Sequence, residues 1–158
     1  MKKIFITTAI VALLGTSVFA ADGGKKAEKT VSVSYAVQNE FDADFSDAKN
    51  VTWTVTSNCQ KASFILNDVK MTAFYNLQGE YLGVTQDVAY NTLSEKAKKE
   101  ITNKYKDYAV TDVIKYETSD AVSNSDQTVY FVDLKNSASE LLVRVTPTAD
   151  VYFFKQVK

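Results

Sequence analysis

Histidine is absent from all 158 residues, and the chain holds one cysteine, one proline, one tryptophan and five glycines. Without histidine, the commonest general base and metal ligand near neutral pH is missing. Nucleophilic triads of the Ser-His and Cys-His kind are therefore excluded. A single cysteine cannot build a thiolate zinc site. The glycines are scattered or lie near the N-terminus, so none forms a phosphate-cradling loop, and no cofactor motif is present. The formal charge of −1 comes from 18 basic and 19 acidic residues of mixed placement. Nucleic-acid binding rests on phosphate neutralisation, and this balance offers no footprint for it. The lysines between Lys96 and Lys106 alternate with Glu95, Glu100 and Asp107 and read as a solvated helix face. Together these absences point away from an enzyme.

What is present begins with an address. Met1-Lys2-Lys3 is a short basic stretch, Ile4 to Leu14 an almost unbroken apolar run, and Val18-Phe19-Ala20 supplies small residues at a cleavage site. The apolar run is shorter than the ~20 residues that span a bilayer. Residues 1–20 are expected to be a signal peptide cleaved after Ala20, which makes the protein periplasmic or secreted without a membrane span. No cysteine follows the cleavage site to accept a lipid. Residues 21–34 carry two glycines and several charges without apolar period and read as a flexible leader.

Beyond the leader, one hydrophobic pattern occurs twice, about sixty residues apart. Val37, Phe41 and Phe45 recur every four residues, as do Leu93, Ala97, Ile101 and Tyr105, which places each set on one face of a helix. Each helical segment is followed by alternating, strand-like sequence. Val51, Trp53 and Val55 alternate with Thr52, Thr54 and Thr56. Ala62–Leu66 and Val69–Tyr75 make a hairpin through Asn67-Asp68, and Gly79 supplies the unusual backbone angle of the next turn. Thr92-x-x-Glu95 matches a capping box opening the second helix. Tyr108–Glu117, Thr128–Leu134, Leu141–Thr146 and Val151–Val157 are strands, and the polar stretch 118–127 is a loop. The expected fold is α+β, a tandem repeat of a helix packed on a three- to four-stranded antiparallel sheet. Residues 35–90 form the first unit and 91–158 the second.

Three features could still carry chemistry. Asp42-x-Asp44-x-Ser46 resembles the start of a calcium loop, but Asp47 stands where glycine is needed and Trp53 where the bidentate glutamate belongs. Nothing singles out a glycosidase-like pair among the acids. Cys59 has no neighbouring base to activate it and reads as a partly buried small residue. No catalytic residue, metal ligand or cofactor follows from the sequence.

The nine tyrosines and nine phenylalanines need more explanation. A helix-side core accounts for Phe41, Phe45, Trp53, Phe64, Tyr105 and Tyr130. Tyr75, Tyr81, Phe131, Tyr152 and Phe154 fit less well, because adjacent strand residues point to opposite faces. Either the sheet is covered on both sides, or one face displays aromatics to a partner. If Trp53 and Tyr130 face the helices, the opposite face carries Thr52, Thr54, Phe131, Asp133 and Arg144, the candidate contact residues.

The run Phe41-x-x-x-Phe45-Ser46-Asp47-Ala48-x-x-Val51-x-Trp53 resembles the opening of exported PepSY-like proteins, a group likened to β-lactamase-inhibitor folds. Ala73-Phe74-Tyr75-Asn76-Leu77-x-Gly79-Glu80-Tyr81-Leu82, Ile101-x-x-x-Tyr105 and Tyr130-x-Val132-x-Leu134 extend the resemblance over nearly all of the chain after the leader. It implies a non-catalytic role, binding or inhibition at the cell envelope. The chain departs from that pattern in having Ser46 after Phe45 where proline is usual, no proline opening the second helix, and no glycine in the final turn. The reading reached is a binding module that recognises a protein or peptide in the cell envelope on its sheet face. The alternatives are a protease or hydrolase inhibitor acting through the 118–127 loop and a small-molecule carrier.

Overall fold

The computed structural model describes residues 33–119 and 128–157. The expected signal peptide, nearly all of the expected leader, and residues 120–127 of the expected loop lie outside the described residues.

Helix α1 (Tyr35–Asp44) is followed by β1 (Lys49–Val55), β2 (Gln60–Leu66), β3 (Val69–Tyr75) and β4 (Tyr81–Asp87). A single 3-10 turn (Tyr90–Thr92) leads to α2 (Glu95–Lys104), then β5 (Ala109–Thr118), β6 (Thr128–Lys135), β7 (Glu140–Val145) and β8 (Val151–Gln156). All eight strands belong to one sheet, in the order of the chain, with every neighbouring pair antiparallel.

This corrects the expected architecture. The chain is mostly a single eight-stranded sheet with two short helices, not two small helix-on-sheet units of three to four strands each. The reason lies in β4, which the sequence disguises as a connector. It pairs with β3 on one side and with β5 on the other, through Val84 opposite Glu117, Thr85 opposite Tyr116 and Gln86 opposite Lys115. Gly83 makes that seam possible. Its φ is 142°, and a Cβ there would run into the Glu117 carbonyl and crowd the Thr118 Cα. Only glycine accepts both the angle and the approach.

The helices start and stop by the same devices. Ser34 and Ser94 are the N-caps, each accepting a hydrogen bond from the amide three residues on, that of Val37 or Ala97. Phe45 and Tyr105 close the C-termini, their amides donating to the carbonyls of Phe41 and Ile101. Ser94, not Thr92, is therefore the cap of α2. Thr92 is held in the 3-10 turn, and Leu93 is extended at φ −67° and ψ 147°, so helical geometry cannot begin before Ser94. Asp42 and Asp44 of the calcium-like motif are part of α1.

Both helices lie on one face of the sheet. Under α1, Val37 and Phe41 pack on Ala62, Phe64, Ala73, Tyr75 and Val84, with Phe45, Trp53 and Tyr81 at the margin. Under α2, Ala97 and Ile101 pack on Val113, Val132, Leu134 and Val143, with Tyr105 and Tyr130 at the margin. Each large apolar side chain buried this way contributes roughly 1.5–3 kcal/mol. Cys59 is buried in the β1–β2 turn, its sulfur 3.4 Å from the Thr56 hydroxyl.

Candidate functional site: the helix-free face of the sheet

Cross-strand partners share a face of a sheet, so the register defines the surface opposite the helices. Trp53 packs against α1 and Tyr130 belongs to the α2 core, which turns their neighbours the other way. Thr52 stands opposite Ser63 and Thr54 opposite Lys61. Phe131 stands opposite Arg144, and Asp133 opposite Leu142. All five residues anticipated from alternation thus lie on the helix-free face, although four of the seven strand pairs contain a register shift.

The face has two characters. Across β1–β4 it is a row of hydroxyls in which Thr52, Ser63, Thr72 and Thr85 lie opposite one another in turn. The Ser63 and Thr72 hydroxyls are 3.2 Å apart, and Thr85 donates to the Thr72 carbonyl at 3.4 Å. Thr52 and Thr54 are exposed. Across β5–β8 the middle of the face is apolar and buried, formed by Tyr116, Val129, Phe131 and Leu142, with Phe74 of β3 joining them. Phe131 is 1% exposed and stacks at a tilt on Phe154, with ring centroids 4.8 Å apart. It is therefore packed into this third cluster and does not stand at the surface. Asp133 and Arg144 are half-buried beside it.

The electrostatics of the second part are strained. Asp112 and Asp133 are direct cross-strand partners, an arrangement of like charges that destabilises a sheet. Burial, reinforced by the Glu140 carboxylate, pushes the Asp133 carboxyl above the usual carboxylate range. Burial and the nearby Asp112 do the same to Asp87. One Asp133 carboxylate oxygen is buried with no hydrogen-bond partner. An acceptor buried without a partner costs free energy, which adds to the strain of the Asp112–Asp133 pair. Among the described residues no group of three or more His, Cys, Asp or Glu side chains could hold a metal ion.

A concavity lies on the helix side, at the start of α2. It encloses about 450 Å³ between Leu93, Lys115, Thr128, Tyr130, Val145 and Pro147. The Lys115 ammonium is 2.7 Å from the Glu117 carboxylate.

The sequence signalled the threonine side of the face through strict alternation. It did not signal the buried centre, although the clue is visible in hindsight. Ala73-Phe74-Tyr75, Val129 to Val132 and Leu141-Leu142-Val143 are unbroken apolar runs, which belong to strands buried on both faces. The aromatic question also resolves by position. Tyr75, Tyr81 and Phe131 on inner strands are buried or half-buried, whereas Tyr152 at the edge is exposed.

No protein-family model matches the chain, and no curated protein sequence does. Solved structures do. A DUF2874 family protein from Bacteroides uniformis superposes with a TM-score of 0.70 at 14% identity, over 80% of this chain and 91% of that one. A candidate periplasmic protein from Bacteroides eggerthii gives 0.69 at 12% identity, over 79% and 89%. A BLIP-like protein from Bacteroides fragilis gives 0.67 at 14%, over 82% and 89%. The chain shares its fold with these proteins. At such identities the likeness concerns the fold alone. Among the described residues no helix is long and apolar enough to cross a membrane.

Proposed function

We propose that the protein is an exported, non-catalytic binding module of the cell envelope that recognises a protein or peptide on the helix-free face of its sheet. The observation that carries this reading is the one-sided placement of both helices. They cover one face of a continuous eight-stranded sheet and leave Thr52, Thr54, Asp133 and Arg144 on the other. A rigid sheet holding hydroxyls and a guanidinium suits recognition, since such groups add specificity without needing to be reordered on binding. The fold shared with a BLIP-like protein and the PepSY-like sequence resemblance support the same class of role. The fold shared with a candidate periplasmic protein supports the location, together with the signal-like N-terminus.

The test is capture from the source cell's own envelope and culture fractions on the immobilised chain beginning at Ala21. A Thr52→Glu/Thr54→Glu/Arg144→Glu variant probes the helix-free face, and Lys99→Glu on α2 serves as the control. A protein retained by the wild type and the control, and lost with the face variant at unchanged melting temperature, is the expected result. Equal retention by the face variant would move the site elsewhere.

The concavity beside α2 favours a second reading, a small-molecule carrier, because it brings Leu93, Val145 and Pro147 together with Lys115 and the Tyr130 ring. That reading requires a co-purifying ligand in the native mass spectrum, displaced by Leu93→Trp. The inhibitor reading depends on the 118–127 loop, of which residues 120–127 lie outside the described residues, and no observation favours it.

A further inference from the structure

The lysines of α2 read in sequence as a solvated face, yet two of them are tied to the start of β8. Lys96, Glu100 and Lys104 stand four residues apart and so form one stripe along the helix. The Lys96 ammonium donates to the Thr148 carbonyl at 2.9 Å and to the Asp150 carboxylate at 2.7 Å. The Glu100 carboxylate accepts the Val151 amide at 3.3 Å, and the Lys104 ammonium donates to the Val151 carbonyl at 3.0 Å. Lys104 also pairs with Glu100. The Lys104 ammonium, and after it the Val151 amide, hold the Glu100 carboxyl below the usual carboxylate range.

These bonds fall on an edge of the sheet. β8 pairs with β7 and has no second strand neighbour among the described residues. Such an edge offers unpaired amides and carbonyls as a template for another chain. Tyr152 and Phe153, 58% and 60% exposed, add the apolar surface that would drive strand addition. Alternate residues of an antiparallel strand turn both backbone groups to the same side. Val151 turns its pair toward α2, so Phe153 is the next residue to turn outward. The register then shifts, with Phe153 opposite Val143 and Lys155 opposite Leu142, which leaves Phe154 as the extra residue of a bulge. Helix side chains therefore close the ladder before Phe153, and the bulge breaks it after.

The first half of the chain supplies an internal control. β4 follows the 76–80 turn as β8 follows the 146–150 turn, and Tyr81 stands opposite Tyr75 as Val151 does opposite Val145. With Val37 and Phe41 matched to Ala97 and Ile101, the counterparts of the stripe on α1 are Ala36, Glu40 and Asp44, with no base among them. β4 has β5 as a neighbour along residues 83–87. The alternating charges thus occur in the half whose last strand is an edge and not in the half whose last strand is paired. We propose that Lys96, Glu100 and Lys104 form an edge guard that holds the outer side of β8 closed to strand addition by a second copy of the chain. The guard keeps an exported protein monomeric although its edge carries exposed aromatics.

Glu100→Ala/Lys104→Ala opens the guard at constant net charge and leaves good helix formers in place. Exposed ion pairs contribute little to stability, so the melting temperature should stay close to that of the wild type. Sedimentation of the chain beginning at Ala21, between about 1 μM and about 1 mM, should show a monomeric wild type and a self-associating double variant, its association constant raised at least about tenfold. Adding Phe153→Lys should restore the monomer. Glu100→Gln keeps an acceptor for the Val151 amide and should stay monomeric, as should Glu95→Ala/Lys98→Ala, which removes an ion pair within α2. At the lowest concentration the Val151 amide should exchange at least about tenfold faster in the Ala double variant than in the wild type. A double variant that stays monomeric overturns the proposal. So does a wild type that associates as strongly, an association that survives Phe153→Lys, or a Val151 amide that exchanges equally fast in both proteins.

Discussion

The two helices sit sixty residues apart in equivalent positions and are held in place by different means. Beneath α1 the core is aromatic. Phe41 touches Phe45, Trp53 and Phe64 at centroid distances of 5.2, 5.3 and 5.0 Å, and Tyr75 bridges Trp53 and Tyr81. Beneath α2 it is aliphatic, built from Ile101, Val113, Val132, Leu134 and Val143. The helices compensate in the opposite sense. α2 carries Glu95 in its first turn, Lys104 in its last, and the Glu95–Lys98 and Glu100–Lys104 pairs along its surface. All of these favour a helix by modest amounts. α1 has no acid in its first turn and no base in its last, and Asp42 and Asp44 sit near its carboxyl end. Its own charge pattern opposes the helix, so its stability comes from the aromatic core. Both helices share a serine N-cap, but charges along α2 add to its stability, whereas α1 relies on its cap and on packing against the aromatic core.

The largest effect should come from breaking the seam that joins the halves. Gly83→Val places a branched side chain against the Glu117 carbonyl at a φ that L-residues avoid, and is expected to cost about 3–5 kcal/mol by urea unfolding. Next come the helices' own anchors. Phe41→Ala should cost about 4 kcal/mol and Ile101→Ala about 3 kcal/mol. Far-UV circular dichroism should also show α1 fraying in the first variant, while α2 stays formed in the second.

A third test concerns the helix-free face. A carboxyl whose pKa is raised on folding favours the folded state while protonated, and that contribution disappears as pH rises through the folded-state pKa. Asp133→Asn should therefore raise the melting temperature at pH 7 and leave it unchanged near pH 3. The hydroxyl row of the first half should show no such dependence when Thr72 is replaced by Val.

The smallest effect compares two turns of the same design. Asn76 and Glu80 close one, and Thr146 and Asp150 the other, each with a second bond from the fourth residue back to the first. Gly79 occupies the left-handed position in the first at φ 96°, and Ala149 in the second at φ 65°. Ala149→Gly should stabilise by about 1 kcal/mol. Gly79→Ala should destabilise by about as much or more, because its Cβ would meet the Val37 Cγ2 at 3.1 Å.

Much of this was legible in the chain. Period-four placement of Val37, Phe41 and Phe45, and of Ala97, Ile101 and Tyr105, gave both helices and their buried faces. Asn67 and Asp68 marked a hairpin and both adopt positive φ, as a two-residue loop requires. What failed was non-local. β4 reads as a connector because Gly83, Thr85, Gln86 and Asp87 surround a single buried valine, and its strand character comes from partners on both sides. Missing that strand turned one sheet into two. Phe131 was placed on the correct face, but alternation reports direction and not depth, so its burial was invisible. Thr92 fitted a capping pattern, but its place in the 3-10 turn was decided by backbone geometry that no spacing rule encodes.

Two unequal cores are tied into one sheet whose helices cover a single face. The lone tryptophan, Trp53, lies in the first core, whereas far-UV circular dichroism reports all eight strands. Urea unfolding followed by both signals on the same sample reads whether the two cores unfold as one. One coincident transition is predicted for the wild type, since β4 and β5 couple the halves. Two separated transitions in the wild type, with Trp53 moving apart from the sheet signal, would contradict it.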